Sequence, residues 1–127
     1  MNVNIQTFSL NHIDVLVDNL CSGGWRFTGI YGHPEDEQKL KTGALLEHLN
    51  RKLNLPWVCG GDFHLMLTSN EKQGGNGFNI NEAEILRKAT NTCNFIDLGY
   101  LGHHYTWTNN RGGDENMQER LDRFFAT

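Results

Sequence analysis

At 127 residues, with 38% hydrophobic and 10% aromatic content, the chain fits one globular domain with a modest core and is too apolar for a disordered segment. Its net charge of −4 argues against a tight electrostatic hold on nucleic acid, yet leaves room for a metal-dependent nuclease, in which an ion and a few local cations meet the phosphate. No apolar run is long enough to cross a bilayer and no basic stretch leads into an apolar one at the start, so neither membrane insertion nor secretion is expected; an expressed product is expected in the nucleus or cytoplasm.

Phe8 to Val17 alternates loosely and predicts a strand ending at Asp18 and Asn19. Cys21-Ser-Gly-Gly24 reads as a turn. Trp25 to Tyr31 alternates Trp25, Phe27, Gly29 and Tyr31 against Arg26, Thr28 and Ile30, a second strand suited to antiparallel pairing with the first. Pro34 followed by Glu35, Asp36 and Glu37 marks a helix start, because proline fits the first turn and carboxylates complement the N-terminal dipole. Leu40, Ala44, Leu45, Leu49 and Leu53 then recur at helical spacing and predict the buried stripe of that helix.

The central stretch is Leu55-Pro-Trp-Val-Cys-Gly-Gly-Asp-Phe-His-Leu-Met-Leu67. Pro56 to Cys59 has the pattern of a strand buried on both faces, and two glycines follow that permit positive φ or close backbone approach. If Asp62, Phe63 and His64 continue extended, the carboxylate and imidazole project together while Phe63 turns inward. The alternative is a polar turn that merely closes the strand.

Thr68 to Gly77 is polar and glycine-rich, a loop in which Glu71 is expected to be solvated, although it could approach a cation. Asn79 or Asn81 can cap a helix whose apolar stripe is Ala83, Leu86, Ala89 and Cys93. Phe95 to Tyr100 predicts a buried connection into an aromatic-rich strand, Tyr105 to Thr108, with Asn109 to Asp114 a turn. If Glu119 to Phe125 is extended, Arg120, Asp122 and Phe124 share one side and Leu121, Arg123 and Phe125 the other. Cys21, Cys59 and Cys93 are odd in number and widely spaced, which reads as buried reduced thiols. His12, His33, His48, His103 and His104 lack the close helical spacing of a zinc site, and no metal ligand is assigned. Strands interrupted by two helices, with no repeat and no linker, predict a single α/β or α+β domain spanning residues 1–127.

Taken together, Trp25-Arg-Phe-Thr-Gly-Ile-Tyr-Gly-His-Pro34, Pro56-Trp-Val-Cys-Gly-Gly-Asp-Phe63, Glu71-Lys-Gln-Gly-Gly75, Asp97-Leu-Gly-Tyr-Leu-Gly102, Tyr105-Thr-Trp-Thr-Asn-Asn-Arg111 and Glu119-Arg-Leu-Asp-Arg123 resemble the endonuclease/exonuclease/phosphatase domain. The version resembled is that of plant LINE-type (non-LTR) retrotransposons, and the match runs in order from about Phe8 to the last residue. The resemblance implies a partial four-layer sandwich of mixed sheets flanked by helices, as in deoxyribonuclease-like folds. It also implies Mg2+-dependent hydrolysis of DNA phosphodiesters, the ion neutralising charge that develops on the phosphoryl oxygens.

By position, Asp62 matches the aspartate that orients or deprotonates the attacking water, Tyr31 a phosphate-contacting tyrosine at a strand end, and Asp122 the later aspartate of such sites. Tyr105, Thr106 and Trp107 match the segment that lines or supports the substrate groove. Read without the resemblance, Tyr31 and Trp107 serve equally as core aromatics, and Asp122 as a surface carboxylate paired with Arg120 or Arg123. His64 stands where the family pattern has an asparagine, and an imidazole cannot offer an amide's donor and acceptor from one short side chain. The family's upstream metal-binding glutamate and its terminal Asp-His pair have no counterpart, so the chain is expected to be a domain truncated at both ends, with doubtful Mg2+ binding and little activity alone. Two other readings stand beside it: a non-catalytic, retrotransposon-derived scaffold that self-associates through exposed sheet edges, and a histidine-based zinc hydrolase.

Overall fold

The computed structural model describes residues 2–19 and 23–127. Period-two alternation in the first quarter of the chain folds as an antiparallel meander of β1 (Asn2–Phe8), β2 (His12–Asn19) and β3 (Gly23–Tyr31). The expected single strand from Phe8 to Val17 is therefore two strand segments separated by a turn at Ser9 to Asn11, where Ser9 Oγ accepts from Asn11 N at 3.0 Å. Of the expected turn at Cys21 to Gly24, Cys21 and Ser22 lie outside the described residues, and Gly23 and Gly24 already belong to β3.

After β3, a 3-10 turn (Asp36–Gln38) leads into α1 (Lys39–Asn50), which carries the chain back to β4 (Trp57–Asp62), parallel to β3. A second 3-10 turn (Ser69–Glu71) and β5 (Lys72–Gln73) precede α2 (Ile80–Cys93). Asn79 caps α2 as expected, its Oδ1 accepting from Asn81 N and Glu82 N, and Ala83, Leu86, Ala89 and Cys93 are buried along its inner face. Two-residue strands β6 (Ile96–Asp97), β7 (Trp107–Thr108) and β8 (Gln118–Glu119) and the longer β9 (Asp122–Ala126) complete the chain. The main sheet has the order β1-β2-β3-β4-β9-β6, and a small second sheet has the order β5-β8-β7. The architecture is mixed α+β, with two sheets and two helices.

One core joins both helices to one face of the main sheet: Leu46 and Leu49 from α1, Leu86, Ala89 and Cys93 from α2, and Ile30, Trp57, Cys59, Phe63, Leu65 and Phe125 from the strands and the chain just after β4. Burial pushes the Cys59 thiol well above its usual range, and burial followed by the Glu47 carboxylate lifts Cys93 to about 12, so both stay protonated and unreactive. The stripe expected on α1 is rotated: Leu40 is 71% exposed and Ala44 is exposed, whereas Thr42, Gly43, Leu46 and Leu49 are buried. Helix contact decides this, because α1 approaches α2 so closely that a Cβ on Gly43 would lie 2.9 Å from Ile85 Cγ2.

The buried side of β3 is the polar one. Arg26, with no exposure, donates from Nε and Nη2 to the two oxygens of Asp14 (2.8 and 3.0 Å) and from Nη1 to Leu49 O at the end of α1 (2.7 Å). Thr28 Oγ1 donates to Asp14 Oδ1 (2.7 Å) and accepts from Trp57 Nε1 (2.8 Å), while the guanidinium lies 4.4 Å from the Trp57 ring centroid. A buried charge is tolerable only when paired and hydrogen-bonded, and here β2, β3, β4 and α1 all contribute partners.

The segment expected as a buried connection, Phe95 to Tyr100, is mostly outside: Ile96, Leu98 and Tyr100 are 68%, 57% and 48% exposed. Phe95 packs inward, stacked on Phe125 and tilted against Trp57, and Asp97 turns in toward Arg123. The last stretch alternates only from Asp122 onward; Arg120 and Leu121 are both buried because the chain there crosses from the small sheet to the large one. Arg26→Ala strips Asp14 of its counter-charge in a dry site, and equilibrium urea unfolding should register a loss of about 3–5 kcal/mol.

Candidate active site

The site is built where β3 and β4 end side by side. Parallel pairing aligns Tyr31 with Asp62, and antiparallel pairing of β4 with β9 aligns Asp62 with Asp122. Directly paired residues of neighbouring strands share a face, so the tyrosine and both carboxylates stand in one row, on the face away from the helices. Two glycines allow the strand ends to close: a Cβ on Gly61, at φ +136, would come within 2.2 Å of Ile30 O, and one on Gly32 within 2.2 Å of Phe63 O. Gly32 N donates to Asp62 O at 2.6 Å across this gap.

Asp62 and His64 do project together, though by a different route from the extended one expected. Strand β4 stops at Asp62, His64 takes φ +53, and Asp62 Oδ1 accepts from His64 N at 2.9 Å, a side-chain-closed turn. Phe63 turns inward and is fully buried. The turn folds the imidazole back over the carboxylate, with His64 Nε2 3.2 Å from Asp62 Oδ2, in ion-pair range but without hydrogen-bond alignment. Its other neighbour is Tyr31, edge-on at 5.2 Å between ring centroids. Burial, with a smaller contribution from the Asp122 carboxylate, raises the Asp62 pKa, while the bond from His64 N and the imidazole partly offset the rise.

Tyr31 is 53% exposed and Trp107 42% exposed, so neither is a core aromatic. Asp122 is exposed, and the arginines flanking it are engaged elsewhere: Arg123 Nη2 and Nη1 donate to Glu71 Oε1 and Oε2 (2.7 and 3.0 Å), Nη1 also to Asp97 Oδ2 (3.1 Å), and Arg120 Nε lies 3.9 Å from Glu71 Oε2. Glu71, expected as a solvated loop residue, is thus buried at 7% exposure, and Leu67 N also donates to it. Its carboxylate is committed to arginine and has no room for a cation. Because alternate residues of β9 face opposite ways, this pair anchors the strand from within while Asp122 points out.

Thr106 supports the site: its Oγ1 accepts from Leu121 N and Asp122 N (2.9 and 3.1 Å), fixing the backbone that carries Asp122. Tyr105, Thr106 and Trp107, with His103, Thr108 and Gln118, border a cleft of about 240 Å3 on the neighbouring small sheet. His12 bridges the hydroxyls of Thr7 and Ser9, and His104 bridges Tyr100 Oη and Asn70 O. Among the described residues no three His, Cys, Asp or Glu side chains gather closely enough to share a metal ion. The pairing of Glu71 with Arg123, which supports the site, escaped the sequence reading, because nothing local to the polar loop around Glu71 or to Arg123 links them.

No protein-family model matches the chain, and no curated protein matches it. Solved structures do. The endonuclease domain of TRAS1, a telomere-specific non-LTR retrotransposon, superposes with a TM-score of 0.66 at 17% identity, over 98% of this chain and 56% of that one. A beta toxin from Staphylococcus aureus gives 0.54 at 17% identity (91% and 42%), and truncated Caenorhabditis elegans TDP2 gives 0.50 at 11% identity (100% and 52%). The chain spans about half the length of these neighbours. Its fold is the one these solved structures share, and it agrees with the deoxyribonuclease-like type that the sequence motifs imply.

Proposed function

We propose that this chain is part of a DNA phosphodiesterase domain of the retrotransposon-endonuclease kind, and that alone it cleaves DNA little or not at all. The observation that carries the reading is the row of Tyr31, Asp62 and Asp122 across three neighbouring strands, with burial and a second carboxylate raising the Asp62 pKa. A carboxylate disfavoured as an anion is a better base toward water, and a phosphodiester needs its attacking water oriented and partly deprotonated. In this reading Asp62 takes the proton of the water that attacks phosphorus, Asp122 orients the same water, the Tyr31 hydroxyl donates to a phosphoryl oxygen, and the P–O bond to the leaving sugar oxygen breaks, that oxygen taking its proton from solvent. His64 occupies the position from which a short amide would hold the phosphate, and its ring, packed between Asp62 and Tyr31, narrows that position. Tyr105 and Trp107 present aromatic walls to the flanking nucleotide, while Thr106 acts through the backbone of Asp122.

The donor set does not make a Mg2+ site. Both Asp62 oxygens face His64, Asp122 is one carboxylate, and Glu71 is spent on Arg123. Groups that act as a unit fail together when one is missing, which is the reason to expect a nearly silent chain.

Incubation of the purified chain with supercoiled plasmid and Mg2+ should leave the plasmid intact beyond background. Rapid nicking that disappears in Asp62→Ala would overturn the inactivity and identify the base at once. A second test reads the Asp62 pKa through stability. With the folded-state pKa above the unfolded value, folding favours the protonated carboxyl, so wild type and Asp62→Asn should melt alike below about pH 4. As pH rises through the folded pKa the wild type should lose stability against the variant, leaving Asp62→Asn with the higher melting temperature at neutral pH. Equal melting temperatures across the range would mean that Asp62 is not strained in this way.

A further inference from the structure

Three tyrosines occur in the chain, and among the described residues only Tyr100 has its hydroxyl in a hydrogen bond. It lies in the loop between β6 and β7, where Gly99 and Gly102, at φ +78 and +97, curl the backbone so that Tyr100 and His104 meet. Tyr100 Oη is 2.6 Å from His104 Nδ1, and the opposite ring nitrogen, Nε2, is 2.7 Å from Asn70 O. A main-chain carbonyl can only accept, so Nε2 carries the ring proton; in the neutral imidazole Nδ1 is then bare, and the phenol donates to it. The carbonyl that fixes this tautomer is itself held. Asn70 belongs to the 3-10 turn at Ser69–Glu71, Glu71 O accepts from Arg120 N at 2.8 Å, and the Glu71 carboxylate is bound by Arg123. Arg120 completes the set, its guanidinium 4.2 Å from the centre of the Tyr100 ring.

We propose that Tyr100 is a nucleophile with His104 as its base, forming a covalent modification site for electrophilic phosphoryl groups. The order hydroxyl, imidazole, carbonyl is that of an activated nucleophile: an attacking oxygen, a base, and a group that orients the base. In the step, Tyr100 Oη forms a bond to phosphorus while its proton passes to His104 Nδ1. The bond from phosphorus to the leaving group breaks, and the leaving group departs with the electron pair. As the proton leaves, negative charge spreads into the phenol ring, and its attraction to the Arg120 guanidinium grows. The same cation favours a phosphoryl group, rich in negative oxygen, over other electrophiles. At 48% exposure the side chain is open to such a reagent. The row of Tyr31, Asp62 and Asp122 takes no part, so this inference is independent of the function proposed above.

Diisopropyl fluorophosphate is a suitable probe, with phosphorus as the electrophile and fluoride as the leaving group. After brief treatment of the 127-residue chain at neutral pH, peptide mass spectrometry should find at least tenfold more adduct on Tyr100 than on Tyr31 or Tyr105. Tyr31 is the more exposed at 53%, so accessibility alone predicts that it reacts before Tyr100. His104→Gln, which keeps a hydrogen-bonding side chain and removes the base, should lower the Tyr100 adduct at least tenfold and leave that on Tyr31 unchanged. The wild-type comparison needs no variant and stands whatever the substitution does to folding. With N-acetylimidazole, an acyl electrophile, the preference for Tyr100 should shrink. Equal adduct on the three tyrosines, Tyr31 modified first, or a Tyr100 rate indifferent to His104→Gln would each overturn the proposal, and an undiminished preference toward N-acetylimidazole would overturn its phosphoryl selectivity.

Discussion

Everything else in the main sheet rests on a guanidinium that never meets water. Arg26 ties Asp14 of β2 to the C-terminal turn of α1, and through Thr28 the same carboxylate reaches the Trp57 indole of β4. Desolvating an arginine and an aspartate is expensive, and the site recovers that cost only because all four elements stand in the one arrangement that satisfies them. The network therefore sets the β2/β3 register and the parallel β3/β4 register together. Those registers bring Tyr31 level with Asp62.

A second buried ion cluster performs the matching task on the other flank. Glu71 leaves the loop after β4, binds Arg123 through both oxygens, and so holds β9 against β4 with Asp122 level with Asp62. The row of three polar side chains is thus the visible end of two concealed pairs, neither of which touches it. This division suits chemistry at a sheet rim: rigid, satisfied charges inside keep the geometry, while the outward groups stay free to act. The closed turn at Asp62 to His64 adds a local constraint, a positive φ at a histidine held by the carboxylate it accompanies.

The two faces of the main sheet differ in kind. Helices seal one, and the other carries exposed Val3, Ile5, Ile13, Ile96 and Phe124 together with the row of Tyr31, Asp62 and Asp122. Phe124 lies over Gly60, where any Cβ would strike its ring, so even this open face is locally fitted.

Read alone, the sequence determined what depends on near neighbours: the capped α2 with its Ala83-Leu86-Ala89-Cys93 stripe, the alternating β3, and a carboxylate and imidazole behind two glycines at the mouth of β4. Motif order added the fold type and the names Tyr31, Asp62 and Asp122. Tertiary structure alone decided which side of β3 and of α1 was buried, and it turned Glu71 from a solvated loop residue into the partner of Arg123, 52 positions away. The physical reason is common to these cases. A side chain's preference for water is readable from its type, but a buried charge is stable only opposite its counter-charge, and who stands opposite is fixed by strand register and helix contact between segments distant in the chain.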